Sequence, residues 1–384
     1  MSFSQTHLRR ADVFHQGNPS RDFHGDQTAR FNAALAANDF RDVKRGFRAF
    51  SAELFGRERI SMDQYVSVFG GHAVNCITKD VSGRFVDMRT GSDVSELARS
   101  YSRAKYGGVE DIRYIAGMVV AALGRALDSP SSHWSRLFCH AQERNEAVVM
   151  MTTGWRNVPS TANVLYDLVV EHLNLKLAHL GLPTIINVKL PRIAPPCENY
   201  ASLSTEERER VNLVQDHVIP DRNFYRGSGV HVIFADDVLV TGSTADKVFF
   251  ESMRNGAKSF QAIYPVAIDP RLALCDAAIE EELNAAFVTG GLDETIAGIL
   301  AHPHYQPILR CLRLVFSTAN WGAFSRFLPQ VPTESWIKLY KAALGNDFHK
   351  QQECKPSLLA MKDYLIGAGA LDPDGMVSLE WGPR

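Results

Sequence analysis

Two adjacent acids, Asp236 and Asp237, follow the apolar run Val232-Ile-Phe-Ala235 and precede Val240-Thr241-Gly242-Ser243-Thr244. Apolar residues of this kind end a strand, so the acids fall where the strand opens at its carboxyl edge, the edge at which open α/β sheets bind ligands. The glycine and three hydroxyls form a short loop that feeds a helix, where successive amides and the helix N-terminus make a cradle for an anion. Paired carboxylates accept hydrogen bonds from vicinal hydroxyls, and the cradle takes a phosphate. A phosphoribosyl group has both features.

The thirteen residues Val232–Thr244 resemble the signature of the type I phosphoribosyltransferases: four apolar residues, two acids, then Thr-Gly-x-Thr. Within that family, region 191–244 looks most like the divergent members associated with tellurite-resistance gene clusters. The resemblance covers roughly residues 110–270 and implies a transferase that moves the phosphoribosyl group of 5-phosphoribosyl 1-pyrophosphate onto an unknown base-like acceptor, forming an N-glycosidic bond and releasing pyrophosphate. It implies that Asp236 and Asp237 contact the ribose hydroxyls, while Thr241, Gly242, Ser243 and Thr244 hold the 5′-phosphate. An earlier loop contacts pyrophosphate and Mg²⁺ in the family; Thr152-Thr153-Gly154 occupies that place, with Arg156 as a nearby cation. Lys189 and Arg192 flank a long stretch, 191–229, placed like the family's mobile hood. Mg²⁺ is expected through the donor, with Asp236 and Asp237 as the carboxylates near it. The residue before Thr-Gly is Val240, which offers no charge or acceptor to a purine N7 and so disfavours a 6-oxopurine salvage enzyme.

Blander readings stand beside these. Thr153-Gly154 also fits an ordinary strand–helix turn, Arg156 an exposed cation, and Glu206 to Arg210 a solvated helix face. His302-Pro-His304 has no third ligand at a metal-binding spacing and reads as a surface turn, as does Gly70-Gly71-His72. The same pocket would equally serve a non-catalytic sensor of phosphoribosyl compounds or nucleotides, and cleavage of a nucleoside monophosphate by pyrophosphate or water stays open. No G-x-S-x-G elbow, Walker loop or H-E-x-x-H is present, so hydrolase, nucleoside-triphosphatase and zincin chemistries lack their motifs.

The elements that must position these residues follow from hydrophobic periodicity. Strands are expected at 147–151, 184–190, 230–235 and 260–268. Helices are expected from about Thr161 to Gly181 and from Ser243 to near Gly256. This alternation predicts an α/β fold, a parallel-sheet type I phosphoribosyltransferase core with helical N- and C-terminal additions. Ahead of it, helices are read at 29–54 and 111–127, with a mixed, loop-rich stretch at 61–110. Behind it, helices are read at roughly 276–287, 293–301, 305–317, 333–344 and 356–367. The expected domains are 1–110, 111–270 and 271–384.

Composition bounds the rest. The 384 residues carry 41 Lys+Arg against 43 Asp+Glu, a net charge of −2. A protein living on phosphate-backbone contacts shows a basic excess, so nucleic acid is not an expected partner. The six cysteines are scattered singly, without a C-x-x-C pair, which fits a reducing compartment. With no signal-like N-terminus and no apolar run of about 18 residues, a cytoplasmic protein without a membrane partner is expected. A homodimer is open, because type I relatives are frequently dimers.

Overall fold

The computed structural model describes residues 71–191, 220–227, 229–275 and 278–377. The expected helix at 29–54, Arg192 and most of the expected hood lie outside the described residues. In chain order the elements are β1 (Gly71–Lys79), β2 (Phe85–Asp87), α1 (Ser95–Ala104), α2 (Val109–Asp128), α3 (His133–Arg144) and β3 (Ala147–Trp155). Then come α4 (Thr161–His179), β4 (Ile185–Pro191), α5 (Arg222–Arg226), β5 (Val230–Ala235), β6 (Val238–Leu239), α6 (Ser243–Asn255) and β7 (Ser259–Ile268). The helices α7 (Pro270–Cys275), α8 (Ile279–Asn284), α9 (Glu294–Ala301), α10 (Leu309–Val315), α11 (Trp321–Phe327), α12 (Thr333–Gly345) and α13 (Lys355–Gly367) follow.

The strands form one sheet in the order β2-β1-β7-β5-β3-β4, with β6 paired to β7. All pairings are parallel except β1 with β2. Alternation along each central strand feeds two cores, since successive side chains point to opposite faces. Val148, Met150 and Ile233 pack with Ile115, Val119, Leu165 and Val169 of α2 and α4. Val149, Met151, Val232 and Phe234 pack with Val248 and Phe249 of α6. The C-terminal helices build a third core around Phe316, Phe324 and Trp336, which also takes in Tyr106 and Val158 from the sheet domain.

Two expectations change. The stretch read as loop-rich, Gly70-Gly71-His72 included, contains β1 from Gly71 onward, and β1 pairs with β7 from Gly71↔Ala262 to Ile77↔Ile268. The sheet therefore reaches back across the expected boundary at residue 110. Strand β1, between β2 and β7, has only three fully buried positions, too few to stand out as an apolar run. Five helices were not anticipated, α1 within the stretch read as loop-rich, α3, the short α5 and α7, and α11. Of these, α3 carries its signal in Trp134, Leu137, Phe138 and Ala141, an apolar stripe behind the N-cap Ser132.

The crossover from β3 to α4 is fixed by a reciprocal cap. The Ser160 hydroxyl accepts from the Asn163 amide at 3.2 Å, and Asn163 Oδ1 accepts from the Ser160 amide at 2.8 Å. Such a box satisfies two helix-end donors at once. Ser160→Ala should lower stability by about 1 kcal/mol, read as a reduced melting temperature, with the secondary-structure spectrum unchanged.

Candidate functional site at the carboxyl edge of the sheet

Asp236 and Asp237 sit in a break within one strand rather than at its end. Ala235 pairs with Ile263 and Val238 with Val266, the same register on both sides of the two acids. Facing the break on β7 is Pro265, which has no N–H to offer a ladder. Side chains reinforce the backbone there, where the Asp236 amide still donates to the Ile263 carbonyl at 3.3 Å. Tyr166 on α4 donates its hydroxyl to the carbonyls of Asp236 at 3.2 Å and Ile263 at 2.9 Å. Asn75 on β1 donates to the Pro265 carbonyl at 3.0 Å.

The acids themselves are differently placed. Asp237 is buried, and its Oδ2 accepts from Lys105 Nζ at 2.6 Å in a pair whose side chains are 10% and 11% exposed. Asp236 keeps some accessible surface, and its Oδ1 accepts the Asp237 amide at 3.0 Å. Burial of its carboxyl, with the charge of Asp237 beside it, pushes Asp236 well above the ordinary value of 3.8. Lys105 and the Asp237 amide oppose that rise without cancelling it.

Beyond the break, Val240 is buried in the sheet–helix core, so it fills space there instead of addressing a base. Gly242 caps α6 with φ +69°, a left-handed conformation in which glycine carries no steric penalty. No side chain caps this helix end, and the amides of Thr241, Gly242 and Thr244 donate to no other described residue. That leaves an open row of N–H groups for an anion. Ser243 opens α6 in the same loop.

The expected leaving-group loop lies one strand over. β3 pairs with β5 up to Met151↔Phe234, and extending that register by two residues sets Thr153 level with Asp236. The β3–β4 register shifts by one between Thr152↔Lys189 and Trp155↔Pro191, a bulge at Thr153-Gly154 in which Gly154 has φ +85°. Bulges of this kind re-aim a strand end beside a site. Asn163 Nδ2 donates to Thr152 Oγ1 at 2.6 Å, and the Ser160 hydroxyl donates to the Thr153 carbonyl at 3.0 Å. The helix cap therefore also holds the bulge.

Arg156 is not the exposed cation of the blander reading. Its Nη2 meets Asp347 Oδ2 at 2.6 Å, and Asn157 donates to the Gly345 carbonyl, so the loop is tied to the C-terminal helices. Lys189 pairs with Asp167 at 2.7 Å and lies 4.8 Å from the Trp155 ring centroid. The edge thus brings Asp236, Asp237 and Thr241 to Thr244 onto one segment, with Thr153 and Gly154 on the adjoining β3, Arg156 just past its end and Lys189 one strand further, on β4. His302 pairs with Glu110 at 3.4 Å, and no group of three His, Cys, Asp or Glu gathers for a metal among the described residues.

Sequence spacing did not reveal Lys105, Tyr166 or Asp347. Each acts across a separation of 70 residues or more, which no local motif records.

With this geometry in place, the comparison with known families is direct. The model of the PRTase ComF-like family matches residues 99–360, well over half of the chain, so the protein belongs to that family. It is a phosphoribosyltransferase-type protein in which the match continues past the sheet domain into the C-terminal helices, up to α13. No curated protein and no solved structure matches the chain. No helix among the described residues is long and apolar enough to cross a membrane.

The raised Asp236 carboxyl has a consequence for stability. A carboxyl whose folded value lies above its unfolded value favours the folded state at pH below 3.8, and that contribution is lost as pH rises through the folded value. At neutral pH the charged form is then a cost to the fold. Asp236→Asn should melt higher than the wild type at pH 8, with the difference shrinking toward pH 4. Because the two acids interact, the profile reports the pair.

Proposed function

We propose that the protein is a phosphoribosyltransferase that takes 5-phosphoribosyl 1-pyrophosphate at this edge and forms an N-glycosidic bond to a base-like acceptor. One observation carries the reading: twin carboxylates in a strand break, followed at once by a helix N-terminus whose amides have no partner among the described residues. In the reaction the bond from ribose C1 to the pyrophosphate oxygen breaks, the bond from C1 to the acceptor nitrogen forms, and the acceptor loses a proton. The ribose diol would donate to Asp236 and Asp237. The 5′-phosphate would accept from the amides and hydroxyls of Thr241, Gly242, Ser243 and Thr244, and the pyrophosphate would face Thr153-Gly154.

Arg156 and Lys189 border the leaving group's side but are already paired with Asp347 and Asp167. Their part is to fix the loop and strand that carry Thr153 and Gly154. Excluding water from C1 is needed to prevent hydrolysis of the donor.

The described residues do not fit a directly held divalent ion. An ammonium already occupies one carboxylate oxygen of Asp237, so the acids do not present a free pair to a metal. Mg²⁺ is therefore assigned to the donor's pyrophosphate, where it neutralises leaving-group charge.

A second reading, a sensor that binds phosphoribosyl compounds without turnover, is favoured by the same ion pair. Lys105 cancels negative charge that would otherwise stabilise a ribose cation. Turnover separates the two readings. Incubation with donor, Mg²⁺ and a panel of nucleobases and amines should release pyrophosphate for an enzyme and none for a sensor.

Donor binding tests both readings together. Asp236→Asn with Asp237→Asn should weaken donor binding in calorimetry by about a hundredfold or more, through two lost charge-assisted hydrogen bonds. Undiminished affinity would remove the assignment of this edge.

A further inference from the structure

Lys105 is held as firmly as the acid it meets. It follows the last turn of α1, and its amide donates to the Tyr101 carbonyl at 3.1 Å. The next residues leave the chain no slack. Gly107 has φ +98°, and a Cβ there would fall 2.8 Å from the Tyr305 ring. Arg103, two residues upstream, grips Asp111 through both carboxylate oxygens. The Lys105 ammonium lies 5.4 Å from the Tyr101 ring centroid, so its approach to Asp237 is walled by an aromatic face.

The surroundings make this cation necessary. Asp237 and Glu280 both bring negative charge to bear on Asp236, and the Tyr101 hydroxyl finds no hydrogen-bond partner among the described residues. A ribose phosphate brings more negative charge to the same place. Without a cation the twin acids would repel it; a divalent ion bridging acid and diol is one remedy, and an internal ammonium is another.

We propose that Lys105 is a positioning residue that supplies this cation, so that the site recognises a ribose phosphate without a divalent ion at the diol. This rests on the assignment of the edge to a phosphoribosyl group. The ammonium keeps Asp237 Oδ2 occupied and its charge balanced, leaving Asp237 Oδ1 to accept a ribose hydroxyl. Moving Lys105 away would strand a buried ammonium and a buried carboxylate, so the pair stays formed when ligand enters.

Calorimetry with D-ribose 5-phosphate on the full chain tests this, because the probe has no pyrophosphate to bring a metal. Wild type should bind equally with EDTA and with Mg²⁺. Lys105→Gln should bind at least about tenfold more weakly in EDTA and regain affinity when Mg²⁺ is added. Lys105→Arg, which keeps the charge and the donor, should behave as wild type. A merely structural lysine would weaken binding in both media alike, and that result overturns the proposal. Wild-type binding that requires Mg²⁺ overturns it as well, while leaving the edge assigned to a phosphoribosyl group. Absence of wild-type binding in either medium overturns both. If Lys105→Gln does not fold, the wild-type comparison and Lys105→Arg still decide: wild-type affinity of Lys105→Arg in EDTA supports a role through charge, and weakened binding in both media alike overturns it.

Discussion

A buried carboxylate at the centre of a sheet edge needs a partner, and nearly everything around the candidate site follows from how Asp237 obtains one. Its charge is met by Lys105 from the turn after α1. An unpaired charge at that depth would cost several kcal/mol, and removing one member of such a pair is strongly destabilising. The ion pair therefore fastens the α1–α2 connection to the β5–β6 break. It also leaves Asp236 as the acid with accessible surface, raised by burial and by its neighbour.

The break itself is a second constraint of the same kind. The pairing with β7 thins opposite Pro265, where the Asp236 amide still reaches the Ile263 carbonyl, and the carbonyls of Asp236, Ile263 and Pro265 accept from Tyr166 on α4 and Asn75 on β1. A buried backbone carbonyl without a donor is rare in folded proteins, so these side chains are as much a part of the site's construction as the acids. The carboxylates can project there because the backbone no longer needs to run as an unbroken strand.

The C-terminal helices enter at the adjoining loop. Arg156 and Asn157, just past the Thr153-Gly154 bulge, are bound to Asp347 and to the Gly345 carbonyl at the end of α12. Val158 packs into the C-terminal core. The loop expected to meet the leaving group is thus set from below by the Ser160–Asn163 cap and from outside by the helical region. The family match up to residue 360 accords with a helical region that belongs to the fold.

Local chemistry determined much of this protein. The alternation of apolar residues placed β3, β4, β5 and β7 within a few residues of where they occur, and the acids and Thr-Gly-x-Thr marked the edge, because a strand end, a diol-accepting pair and an amide cradle are all short-range devices. The C-terminal helices were legible for the same reason, since an apolar stripe at helical spacing is written within one turn of chain. Strand β1 was not, because half-buried positions dilute its pattern. What the tertiary structure alone decided was the state of the charges. Arg156 and Lys189 read as cations free to meet a ligand, yet are paired, and Asp237 reads as an open acceptor, yet meets Lys105 from 132 residues away. Ion pairing depends on distance in space and on burial, and neither quantity is fixed until the sheet order has brought remote segments together.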